Sequence, residues 1–76
     1  MIKFGGMNMF MKPKVNEIIK RRTEAGMSQH QVALKSNLGG CALSRIESGA
    51  TTAIHPLRAK AIAKTLNCKV SDIFDK

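Results

Sequence analysis

Tryptophan and tyrosine are missing from this chain, and three phenylalanines are its only aromatic residues. A core built on large rings is therefore excluded, and the interior must be assembled from Ile, Leu, Val, Met and Ala at helical spacing. Cysteine is nearly missing too: Cys41 and Cys68 are too few and too far apart for a disulfide framework. No apolar run approaches the length that spans a bilayer and no secretory signal is recognisable, so the expectation is a cytoplasmic protein with reduced thiols and no membrane partner. Acidic side chains are also scarce, five against thirteen Lys and Arg.

These shortages exclude several function classes. His30, Cys41, His55 and Cys68 never form the short pair that zinc ligation on a turn requires, so no metal or other cofactor is expected. No Ser, Cys, His and carboxylate set falls at a spacing that makes a nucleophile or an acid–base pair, so no catalytic residue and no enzyme are expected. A chain of 76 residues has room for one core and none for a sensor domain, so no small-molecule effector is expected.

What the chain does have is positive charge and helical period. A formal net charge of +8 on so small a domain attracts polyanions in a salt-dependent way, which makes nucleic acid the leading partner. Apolar positions recur at helical spacing, which predicts a compact all-α fold of five helices. The opening residues 1–11 lack a period and read in two ways. Either the natural start is Met7 or Met9, Gly5 and Gly6 being translated ribosome-binding sequence, or residues 4–11 form a flexible apolar arm that pairs with another subunit. The folded domain is expected over residues 12–76.

From Pro13, the positions Val15, Ile18, Ile19 and Arg22 predict helix 1 over residues 13–25, closed by Gly26. Ser28 and Gln31 form a capping-box pair for helix 2, residues 29–36, which buries Val32 and Ala33. Asn37 accepts the left-handed backbone of a tight turn, Leu38 points to the core, and Gly39 is expected to cap helix 3, residues 40–47, with Leu43 and Ile46 inward. After a loop at residues 50–54, His55 caps and Pro56 opens helix 4, with Ala59, Ile62, Ala63 and Leu66 inward and Arg58, Lys60 and Lys64 outward. Asn67 ends it, and Val70, Ile73 and Phe74 form a short final helix whose Phe74 closes the core.

Two short helices joined by a turn of three or four residues are the geometry of a helix-turn-helix. The segment AGMSQHQVALKSNLGGCALSRIESG, residues 25–49, resembles the phage-repressor helix-turn-helix family that contains Cro and lambda-type repressors. Gly26, Ser28, Gln29, Ala33, Leu43, Ser44, Arg45, Ile46, Glu47 and Gly49 carry the resemblance, extended by AKAIAKTL at residues 59–66 and SDIF at residues 71–74. The chain departs from the family at Asn37, where Gly is usual, and at Gly39, where Ser or Thr is usual.

The resemblance implies a bacterial or phage-encoded DNA-binding domain. Gln29 corresponds to a residue that contacts a phosphate and braces the reading helix. Gly40, Cys41 and Ser44 occupy its base-reading positions, and Arg22 with Glu47 its partly buried ion pair between helices 1 and 3. Arg45, on the outward face of helix 3, suits a bidentate contact with guanine, and Ser44 and Cys41 are further readers, Cys41 against a thymine methyl. Lys35, Thr51 and Thr52 are candidate phosphate contacts, and Gly39 and Gly40 let the helix tip approach DNA closely. The expected function is a sequence-specific transcriptional regulator, acting as a homodimeric repressor on double-stranded DNA. The alternative is a protein-interaction module of the same fold, an antitoxin or a phage partner, using Met7, Met9, Phe10 and Met11 as its apolar surface.

Overall fold

The computed structural model describes residues 10–75, and the start and arm expectations for residues 1–9 lie outside them. The chain runs through β1 (Lys12–Pro13), α1 (Val15–Glu24), α2 (Gln29–Lys35), α3 (Ala42–Glu47), α4 (Pro56–Thr65), α5 (Val70–Ile73) and β2 (Phe74–Asp75). α3 lies against both α1 and α2, α4 backs α2, and α5 touches α1 and α4. The inward stripes meet in one core, in which Ile18, Val32, Leu43, Ile62, Ile73 and Phe74 are the largest fully enclosed side chains. Each such burial stabilises the fold by roughly 1.5–3 kcal/mol, and no large ring but Phe74 is needed to fill the centre.

Helices α1 to α4 all stop in the same way. Each runs into a residue with left-handed backbone: Gly26 (φ 70°), Asn37 (φ 60°), Gly49 (φ 86°) and Asn67 (φ 56°). At the end of α1 the Gly26 N–H donates to the Thr23 carbonyl at 3.0 Å and the Met27 N–H to the Arg22 carbonyl at 3.1 Å. This paired closure satisfies carbonyls the helix would leave open and reverses the chain. Leu38 N–H to Ala33 at 2.8 Å and Cys68 N–H to Ala63 at 3.0 Å repeat it behind Asn37 and Asn67. The residue thrown inward each time, Met27, Leu38 or Cys68, packs on the core. Helix starts are equally local: the Ser28 hydroxyl accepts the Gln31 N–H at 3.0 Å while the Gln31 side chain accepts the Ser28 N–H at 2.8 Å. His55 Nδ1 accepts the Leu57 N–H at 3.1 Å in front of α4.

Pro13 does not open α1. It lies in β1 opposite Phe74, with Lys12 opposite Asp75 in antiparallel register, and α1 begins at Val15. The Lys14 N–H donates to the Ile73 carbonyl at 2.8 Å, so this segment is held extended by the far end of the chain, a pairing that no local period reveals. Phe74 closes the core from β2 rather than from the final helix, which ends at Ile73. Ile54, expected in a loop, is buried, because Met11 and Ile54 exchange backbone hydrogen bonds of 2.8 Å in both directions and draw it inward. Helix 3 is also shorter than expected. It begins at Ala42, Cys41 rather than Gly39 holds the cap position, and no side chain caps it. The Gly39 carbonyl accepts the Ala42 N–H at 3.0 Å in a tighter turn, so residues 36–41, not a three- or four-residue turn, link α2 to α3.

Candidate nucleic-acid interface

The position of α3 is set by one carboxylate. Glu47, at its last turn, accepts from Arg22 Nε at 2.7 Å and Nη2 at 3.0 Å, and from Gln29 Nε2 at 2.9 Å. Arg22 Nη1 also donates to the Met27 carbonyl at 3.0 Å. The side chains are 14% exposed for Arg22 and 6% for Glu47. A planar guanidinium matched to a carboxylate by two parallel bonds resists rotation in a way a single contact does not. The network therefore ties α1, the link before α2, the first residue of α2 and the end of α3 into one rigid unit. Beyond it, the Thr51 N–H and the Ser48 hydroxyl both donate to the Arg45 carbonyl at 3.1 Å and fasten the exit from α3.

With Leu43 and Ile46 turned inward, helical geometry turns Cys41, Ser44, Arg45 and Ser48 outward, and all four are exposed. Among the described residues no carboxylate lies within ion-pair distance of Arg45. Arg45 lines a depression together with Gly39, Cys41, Thr51 and Arg58 of α4. Arg58 was expected only as an outward cation of helix 4; its place beside α3 follows from how α4 crosses the domain. Thr52 lies further along, in a depression with Thr51, Lys12 and Phe10. Lys35 is not brought to α3: it sits beside Lys64 in a separate hollow with Asn37 and Thr65, between the end of α2 and α4. Gln29 is half-buried with its amide on Glu47, so its bracing role is visible in the geometry.

The glycines at the tip of α3 differ. A Cβ on Gly39 would meet nothing within 4 Å, whereas a Cβ on Gly40 would stand 2.7 Å from His30 Cε1 and 2.9 Å from His30 Nδ1. The space a Gly40 side chain would enter is thus taken by the end of the exposed His30 side chain from α2. No periodic signal links residues 30 and 40, so this neighbour was not legible in the sequence.

The two thiols are unequal. Cys41 is exposed, while Cys68 is half-buried and its thiol is pushed above its ordinary value by burial, offset in part by Arg21 and reinforced by Asp72. The thiolate is the reactive form, so a substoichiometric alkylating agent near neutral pH should label Cys41 well before Cys68. With α3 facing DNA as the resemblance implies, saturating duplex should slow the labelling of Cys41 and leave that of Cys68 unchanged. Peptide mass mapping with and without duplex checks both, and equal protection of the two thiols would contradict the placement of α3 at the interface. Among the described residues no group of three or more His, Cys, Asp or Glu side chains is gathered in metal-ligating range, and no helix is long and apolar enough to cross a membrane.

A short capped helix, a link that turns at Asn37 and a second helix locked by a partly buried ion pair with its outer face exposed have the form of a helix-turn-helix domain. The helix-turn-helix family model matches residues 18–73, from the first buried residue of α1 to the last of α5, and the chain belongs to this family of DNA-binding transcription regulators. Neither a curated protein nor a solved structure gives a significant match to the chain.

Proposed function

We propose that the protein is a repressor that binds operator DNA as a homodimer, placing α3 of each subunit in successive major grooves about 34 Å apart and excluding polymerase by occupancy. The observation that carries this is Arg45: exposed, without a carboxylate neighbour among the described residues, and projecting from a helix held by the Arg22–Glu47 pair. A guanidinium so presented reads guanine O6 and N7 by two parallel bonds. Ser44 and Cys41 lie beside it on the same face, Cys41 against a thymine methyl. Gln29 keeps a second amide hydrogen beyond the one given to Glu47, and donates it to a phosphate. Thr51, Thr52 and the backbone at Gly39 and Gly40 supply the remaining phosphate contacts, and Lys35, apart from α3, adds only to the general attraction of the polyanion. So few readers make a weak monomer, and pairing two half-sites doubles the contact set on a palindrome.

A second reading, a protein-interaction module, is favoured by the exposed apolar side chains Phe10 and Leu57, 53% and 72% accessible. Of the residues first assigned to that surface, Met7 and Met9 lie outside the described residues and Met11 packs on the core. Selection of bound sequences from random duplexes, with the mass of the complex measured alongside, separates the two. The repressor yields two chains per duplex, a palindrome with half-sites one turn apart, and affinity that falls steeply with salt. Recovery of no consensus, or binding indifferent to salt, would favour the protein partner.

A further inference from the structure

The turn that leads into α3 lacks a side chain at residue 40, and α2 puts one in its place. The His30 ring lies against Gly40 by its Cε1–Nδ1 edge, 2.7 and 2.9 Å from where a Cβ would begin, with Nε2 further out at 4.0 Å. His30 is exposed, and among the described residues neither ring nitrogen has a hydrogen-bond partner. The ring stands next in sequence to Gln29, which the Glu47 carboxylate ties to α3, so it is carried by the same rigid unit as Arg45.

From this juxtaposition we infer that His30 is a specificity-determining DNA contact, delivered from α2 into the position that residue 40, in the turn just before α3, leaves vacant. The inference rests on the insertion of α3 proposed above. Nε2, further from Gly40 than Cε1 and Nδ1, donates to an acceptor on a base edge, purine N7 or guanine O6, at the end of the half-site read by the start of α3. Gly40 is then the partner of this contact: any larger residue there displaces the ring. A glycine tip and an exposed histidine, unexplained separately, become one reader built from two helices.

The test uses the full chain and the duplex obtained by selection. His30→Ala should weaken binding about tenfold and relax the base preference at one position of each half-site, leaving the other positions unchanged. Gly40→Ser, which keeps the histidine but pushes its ring away, should relax the same position. The double variant should lose no more than the worse single one, since both act on one contact. Thermal unfolding of each variant monitors folding, and Gly40→Ser, read by base preference alone, stands independently if His30→Ala is destabilised. Arg45→Ala distinguishes the failures. If it loses affinity while His30→Ala keeps wild-type affinity and preferences, the role of His30 is overturned and groove insertion stands; if His30→Ala weakens all sequences equally, the ring contacts backbone and does not determine specificity. If neither substitution matters, groove insertion fails and this inference with it.

Discussion

Replacing Glu47 with alanine is expected to cost about 3–5 kcal/mol of folding stability, the range for removing one partner of a buried ion pair. The carboxylate accepts from Arg22 twice and from Gln29 once, at 2.7, 3.0 and 2.9 Å, and is 6% exposed. Without it the guanidinium keeps only the Met27 carbonyl, and a charge with little access to water is left uncompensated. A domain of this size has roughly 4–11 kcal/mol in total at the usual stability per residue, so the variant approaches the unfolding threshold. Urea denaturation of Glu47→Ala and Glu47→Gln measures the loss, and Gln29→Ala, which removes one neutral donor, should cost only about 1 kcal/mol. Replacing Arg22 and Glu47 together by Met and Leu should recover much of the stability, because two matched apolar groups carry no desolvation penalty. A Glu47→Ala midpoint close to wild type would mean that solvent reaches the pair.

Arg45→Ala is expected to do the opposite, abolishing recognition while leaving the fold intact. The side chain is exposed and contributes nothing to the core, so unfolding should shift by no more than about 0.5 kcal/mol. A bidentate guanine contact discriminates by about 1–3 kcal/mol, and a dimer loses it twice, so operator affinity should fall by roughly thirtyfold at the least. Arg45→Lys separates charge from geometry. It restores the attraction to the polyanion and the slope of affinity against salt, but not the preference for guanine, because an ammonium lacks the planar fork. Titrations of operator and scrambled duplex at several salt concentrations check this. If Arg45→Ala weakens both duplexes alike, Arg45 contacts phosphate and the reader must be sought elsewhere on α3.

Much of the fold was legible because its signals are local. A left-handed residue at the end of each of α1 to α4, Gly26, Asn37, Gly49 or Asn67, is a property of a few consecutive dihedrals, and so is the Ser28–Gln31 cap. The core stripe of α4 follows from period alone. The ion pair of Arg22 and Glu47 was reached through family resemblance, since nothing in their spacing brings them together; the structure joins them by bonds of 2.7 and 3.0 Å. Where two distant segments decide the outcome, local reading failed. Pro13 at a helical position became a strand residue because Phe74 and Ile73 were there to pair with it, and Ile54 is buried within its loop because Met11 bonds to its backbone.

The candidate site divides along the same line. Sequence by itself determined that the chain is a small basic helical domain, where its helices stop, and which face of α3 has side chains to spare for a partner. These follow from charge, period and turn chemistry, each contained within a few residues. Only the tertiary structure decided that Arg58 shares the depression with Arg45, that Lys35 stands apart from it, and that the His30 ring fills the space above Gly40. The physical reason is that distance between side chains on different helices depends on crossing angle and packing, which the whole core sets at once.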